Sequence, residues 1–184
     1  MLGLIIVGIV IVLLVLFIIG IYNSLIGLRN QVDNAWSQID VQLKRRHDLI
    51  PNLIETTKGY MQHERGTFEA ITNARSQAMG AKTVAESAKA EGVLGEALSK
   101  FMLVVENYPD LKANQNFLAL HEELTSTENK ISFARQNYND QVLFFNNKIQ
   151  MFPSNVIAGM FSFSNRDFFQ VESAAEKEVP KVSF

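Results

Sequence analysis

The chain has 184 residues, enough for one domain of ordinary size plus an anchor and too few for a large multi-domain enzyme. Its 17 basic and 19 acidic side chains leave a formal charge of −2, so the basic footprint that offsets phosphates is missing and nucleic acid is set aside as a partner. The absence of cysteine excludes disulfides, thiolate nucleophiles, cysteine-ligated zinc, lipoprotein acylation and iron–sulfur chemistry.

Met1 to Tyr22 (MLGLIIVGIVIVLLVLFIIGIY) carries no charged side chain and is dominated by Leu, Ile and Val. As a helix it is roughly 33 Å long, enough to cross a hydrocarbon core of ~30 Å. It has neither the basic n-region nor the small-residue cleavage site of a signal peptide, so it reads as a retained transmembrane anchor. Arg29 and then Lys44, Arg45 and Arg46 follow the span, which by the positive-inside rule favours a cytoplasmic body. Gly20 and Ser24 form only a weak small-xxx-small pair, so strong dimerisation through the span is not signalled.

Beyond the span, apolar residues recur at three- and four-residue intervals with almost no strand pattern. The expected fold is all-α: the transmembrane helix (1–22) continues into an elongated antiparallel bundle of three to four helices (23–152), followed by an aromatic-rich tail (153–184). Punctuation divides the bundle into rods over 23–61, 63–106 and 109–152, each up to ~60 Å long. The small, polar stretch Met79 to Gly92 leaves the middle rod as either one helix or two, since Gly80 and Gly92 each cost about 1 kcal/mol of helix propensity. Pro109 suits a first helical turn, with Asp110 near the positive end of the helix dipole. Pro153 stops the third rod, and Ser154 or Asn155 can cap a short helix after it.

Three blocks in this order, RNQVDNAWSQIDVQLKRRHDLIPNLIETTKGYMQHE, ENYPDLKANQNFLALHEELTSTENKISFARQNYND and FPSNVIAGMFSF, resemble the bacterial LemA family. The resemblance runs from about Tyr22 to the terminal PKVSF. It implies a membrane-anchored helical bundle of the bacterial inner membrane without an established enzymatic activity, and relatives among magnetosome-membrane components suggest membrane organisation as a theme. Ser162 departs from the pattern, standing where the family leads one to expect glycine.

The stretch KRRHDLIPNL (44–53) invites a reading as a site, with His47 and Asp48 as a catalytic pair assisted by His63 and Glu64. Adjacent residues on a helix point about 100° apart, so Asp48 does not orient His47, and the geometry of nucleophile, base and orienter fails. Metal ligation fares no better. His63 and Glu64 are adjacent, and His121, Glu122 and Glu123 run around a helix rather than along one face. No catalytic residue, cofactor or metal site is expected. A lipid clamp of Lys44, Arg45 and Arg46 would stand roughly 33 Å beyond the interface, several Debye lengths away.

The seam offers a structural role instead. On the first rod Leu28, Val32, Trp36, Ile39, Leu43, Arg46 and Ile50 share a face. On the third, Phe117, Leu120, Leu124, Glu128, Ile131, Ala134, Tyr138, Val142, Phe145 and Ile149 do the same. With these rods parallel and starting at similar heights, Arg46 and Glu128 meet as an ion pair inside the bundle, with Arg45 or Lys44 able to share the carboxylate. Pro51 is expected to kink or break the first rod, and Trp36 and Tyr138 to anchor the core.

Eight of the 13 phenylalanines lie at or beyond Phe144. In an up-down-up bundle the third rod ends roughly 60 Å from the bilayer, so Phe161, Phe163, Phe168 and Phe169 are read as packing on their own rods or as a self-association surface rather than a membrane contact. The functional expectation is a non-catalytic, membrane-anchored scaffold that forms homo-oligomers and organises membrane proteins or lipid. The alternative is an adaptor or sensor that partners a membrane enzyme such as an envelope protease.

Overall fold

The computed structural model describes residues 1–170, in six helices and, among those residues, no strand. They are α1 (Leu2–Lys58), α2 (Arg65–Gly80), α3 (Val84–Val105), α4 (Pro109–Lys112), α5 (Gln115–Gln150) and α6 (Ser154–Met160). The protein is an all-α helical bundle preceded by an apolar helix. Residues 2–17 of α1 are exposed throughout, and the helix is long and apolar enough to cross a membrane.

The middle stretch is two helices. Thr83 ends the break after Gly80 with a capping box: its hydroxyl accepts from the Glu86 amide at 3.1 Å while the Glu86 carboxylate accepts from the Thr83 amide. The third rod likewise begins later than its proline suggests. Pro109 opens a single turn, α4, and the Asn114 side chain then accepts from the amides of Asn116 and Phe117 to start α5.

By internal packing the chain forms two units, to both of which α1 and α5 contribute. The first holds 1–38 and 136–167. In it the Trp36 and Tyr138 rings meet at 5.5 Å, Tyr22 lies 4.7 Å from Phe161 and 6.0 Å from Phe163, and Phe163 packs on Phe145. Residue numbers rise along α1 as they fall along α5, so the two helices are antiparallel here. The parallel arrangement expected above is therefore wrong, and its physical cause is the break at 81–83. Splitting the middle rod adds one chain reversal, which turns α5 around and ends it beside Tyr22, the last residue of the apolar span, instead of ~60 Å away.

The segment after α6 is tied down by α5 side chains that bond its backbone. The buried Asn146 amide donates to the Arg166 carbonyl and accepts from the Arg166 amide, both at 2.9 Å, while the Tyr138 hydroxyl donates to the Asp167 carbonyl at 2.8 Å. Arg166 also pairs with Asp33 at 3.1 Å. In the turn that leads into this segment, Ser162 has φ 55°, the left-handed region that glycine enters without a Cβ penalty. Ser162→Gly should therefore stabilise the fold by up to about 1 kcal/mol, read as a raised denaturation midpoint.

The second unit holds 39–135 and, of the described chain end, 168–170. α2 and α3 form an antiparallel hairpin, with Phe68 against Phe101 at 6.3 Å. Ile50 and Leu53 of α1, Ile71 and Ala74 of α2, Leu94, Leu98 and Phe101 of α3, and Phe117 and Leu124 of α5 make one core.

Candidate functional site

A charged layer crosses the second unit at one level, built from one helix turn of each neighbour. Arg46 is the in-period member of the buried α1 series Ile39, Leu43, Arg46, Ile50, and Glu91 holds the same place in Ala88, Glu91, Leu94, Leu98 of α3. They meet in the interior, at 2 % and 5 % exposure, with Arg46 Nη2 on Glu91 Oε2. The other guanidinium nitrogen, Nη1, donates to Glu128 Oε2 at 2.5 Å. Glu128 does not stand inside the bundle as the seam reading expects. Its side chain is 57 % exposed, because α5 turns Leu124, Thr127 and Ile131 to the core and leaves Glu128 at the rim. Arg45 does not share this carboxylate; it pairs with Glu123 on the surface.

His47 is buried too, and its Nε2 lies 2.7 Å from Glu91 Oε1. Both oxygens of Glu91 are thus engaged, one by a guanidinium and one by an imidazole N–H. Burial, then the charges of Arg46 and Arg75, lower the His47 pKa from 6.5 to about 4, against the opposing pull of Asp48 and Asp40. The ring is neutral at pH 7 and donates from Nε2. Since the unfolded chain takes up this proton near 6.5 and the folded chain only near 4, stability falls as pH drops through that interval. Urea midpoints at pH 7 and pH 5 should differ in the parent and converge in His47→Gln, which keeps an N–H for Glu91.

Pro51 does not break α1, which stays helical to Lys58. Proline nevertheless removes the amide that would have bonded the carbonyl four residues earlier, that of His47. Arg75 of α2 supplies the missing donor, its Nε reaching the His47 oxygen at 2.6 Å. The cationic run and the proline of KRRHDLIPNL are therefore parts of one arrangement: Arg46 and His47 hold α3 through Glu91, and the carbonyl that Pro51 frees holds α2 through Arg75.

Chemically this layer is closed, since the carboxylate, guanidinium and imidazole are committed to one another. Among the described residues no group of three or more His, Asp or Glu is placed to share a metal ion. Glu64 accepts from the Tyr108 hydroxyl at 3.1 Å, and His121 stacks on Phe117. Of the four tail aromatics, Phe163 lies against Tyr22 and Phe145 and Phe169 is buried, whereas Phe161 and Phe168 keep exposed surface. Glu91 and Arg75 stand outside the residues the sequence singles out; only the place of Glu91 in the α3 apolar period marks it.

Residues 35–184 match the LemA family. The chain is 28% identical over 166 residues to Protein LemA of Metamycoplasma hominis, covering 88% of this chain and 74% of that protein. It is 22% identical over 184 residues to Magnetosome protein MamQ 2 of Paramagnetospirillum magneticum, and 21% identical to Magnetosome protein MamQ of Magnetospirillum gryphiswaldense, each covering 86% of this chain and 68% of the relative.

Proposed function

This chain belongs to the LemA family, and from that membership and the course of α1 we propose that it is a non-catalytic, membrane-anchored scaffold that self-associates and organises membrane proteins or lipid. The observation that carries the reading is the continuity of α1. One helix of 57 residues begins as a segment apolar enough to cross a bilayer and continues, with no loop between, into the charged layer of the bundle. The relatives named as magnetosome proteins support a role at a membrane. The committed state of Arg46, His47 and Glu91 supports a structural use of the most chemically loaded residues. Arg29 and the run Lys44 to Arg46 favour a body on the cytoplasmic side of the bacterial inner membrane.

Phe161 and Phe168 both keep exposed surface, and contact between copies is assigned to Phe168 because Phe161 packs on Tyr22. Light scattering on the detergent-solubilised full chain should give a discrete assembly several times the 20.7 kDa of one chain, reduced in Phe168→Ser. A monomer that co-purifies with a membrane enzyme would support the adaptor reading instead, and a bare monomer would refute the scaffold.

A further inference from the structure

α6 and the turn before it expose apolar surface where a water-facing helix would carry charge. Ser154, Ile157 and Ala158 face inward, and the outward side of α6 presents Asn155, Val156, Gly159 and Met160, uncharged and with two large apolar side chains. A water-facing helix carries charged and polar residues on its outer face, and on α6 Asn155 is the one polar side chain there. Around it Met151, Phe152 and Phe161 are also exposed, Phe152 to 82 % and Met160 to 68 %. No charged side chain occurs between Lys148 and Arg166, and both of those borders are cations.

The position of this surface names its occupant. Phe161, the residue that caps the C-terminus of α6, packs tilted against Tyr22 with ring centroids 4.7 Å apart, and Tyr22 closes the apolar span. α6 has seven residues and is about 10 Å long, and interfacial helices lie in the plane of the headgroups with their apolar faces buried ~5–10 Å. An apolar, uncharged surface bordered by cations and held at the mouth of a membrane span meets the headgroup region of the bilayer that the span crosses.

We propose that Met151, Phe152, Val156, Met160 and Phe161 form an interfacial docking element that lies in the lipid headgroup layer beside the exit of α1. The anchor is then two-part: a spanning helix that fixes depth and a lateral element that fixes tilt and rotation of the first unit. The backbone clamp of Asn146 on Arg166 and the Tyr138 bond to Asp167 hold the chain that follows α6 against α5, so the element stays beside Tyr22. The proposal rests on the reading of residues 1–22 as a membrane span and not on self-association.

Because the chain lacks cysteine, single spin labels can be placed without background. The full chain is reconstituted in phosphatidylcholine–phosphatidylglycerol vesicles with a label at Phe152→Cys, Met160→Cys, Val12→Cys or Gln38→Cys. Collision with oxygen and with an aqueous nickel reagent is then measured. The expected result is loss of nickel access at 152 and 160 relative to the water-exposed 38, retained when the protein is diluted in excess lipid. Nickel access at 152 and 160 equal to that at 38, with the label at 12 still protected, overturns the docking element and leaves the span standing. Protection that disappears on dilution, accompanied by label-to-label broadening, overturns it in favour of a second copy. Nickel access at 12 overturns the span itself, and the docking element with it.

Discussion

Arg46→Met destabilises the protein by about 3–5 kcal/mol, and adding Glu91→Leu recovers most of the loss. In the single variant the Glu91 carboxylate stays inside the bundle with only the neutral His47 N–H for compensation, because Arg46 was its sole cationic partner among the described ion pairs. Breaking one side of a buried pair costs far more than replacing both, since the desolvated charge that remains has nothing to offset it. Glu91→Leu alone is costly but milder: Arg46 keeps Glu128 at 2.5 Å, and that carboxylate reaches solvent. Glu128→Ala is the mildest, about 1 kcal/mol or less, as for other solvated pairs. Thermal melts of the full chain in detergent should show this order, with Arg46→Met lowering Tm on the order of 10 °C. Equal effects of Glu91→Leu and Glu128→Ala, or no coupling between positions 46 and 91, would refute the assignment of Glu91 as the interior partner.

The second large effect concerns Arg75. Arg75→Met leaves the His47 carbonyl without the donor it receives at 2.6 Å, at a cost of about 1–3 kcal/mol for an unmet, partly buried acceptor. The same substitution made together with Pro51→Ala should cost much less, because alanine at 51 restores the amide that can bond the carbonyl four residues before it. Chemical denaturation of the four chains of this cycle checks it. If Arg75→Met costs the same with proline or alanine at 51, the guanidinium contributes through packing rather than through that carbonyl.

These two cycles also separate what the sequence reveals from what it hides. The all-α class and the apolar helix were legible because they rest on periodicity and on an uncharged run, both local. Arg46 was legible because a cation in phase with an apolar stripe must meet something. The identity of its interior partner was not, since Glu91 sits in a stretch of alanines and glycines that reads as spacer, and only its phase with Leu94 and Leu98 marks it as inward-facing. His47 was judged by its neighbour Asp48, 100° away around the helix, whereas its partner comes from α3, 44 residues on. The direction of α5 was hidden for a different reason. Whether α1 and α5 are parallel turns on whether the middle stretch is one helix or two, and a break at Ala81–Thr83 flips every height assignment after it. That flip also reverses the place of the aromatic tail, from far beyond the span to its mouth. Arg75 was invisible from sequence because it answers a missing amide, and an absence at Pro51 does not name the donor that fills it.

The proposed action of this protein rests on its being anchored and assembled. The most direct measurement is to count copies in a membrane: the full chain carrying one fluorophore per copy, in vesicles made from the membranes in which it was produced, bleached one molecule at a time. The scaffold reading predicts several bleaching steps per spot, with a count that does not change as expression is lowered. Single steps at every expression level would contradict it.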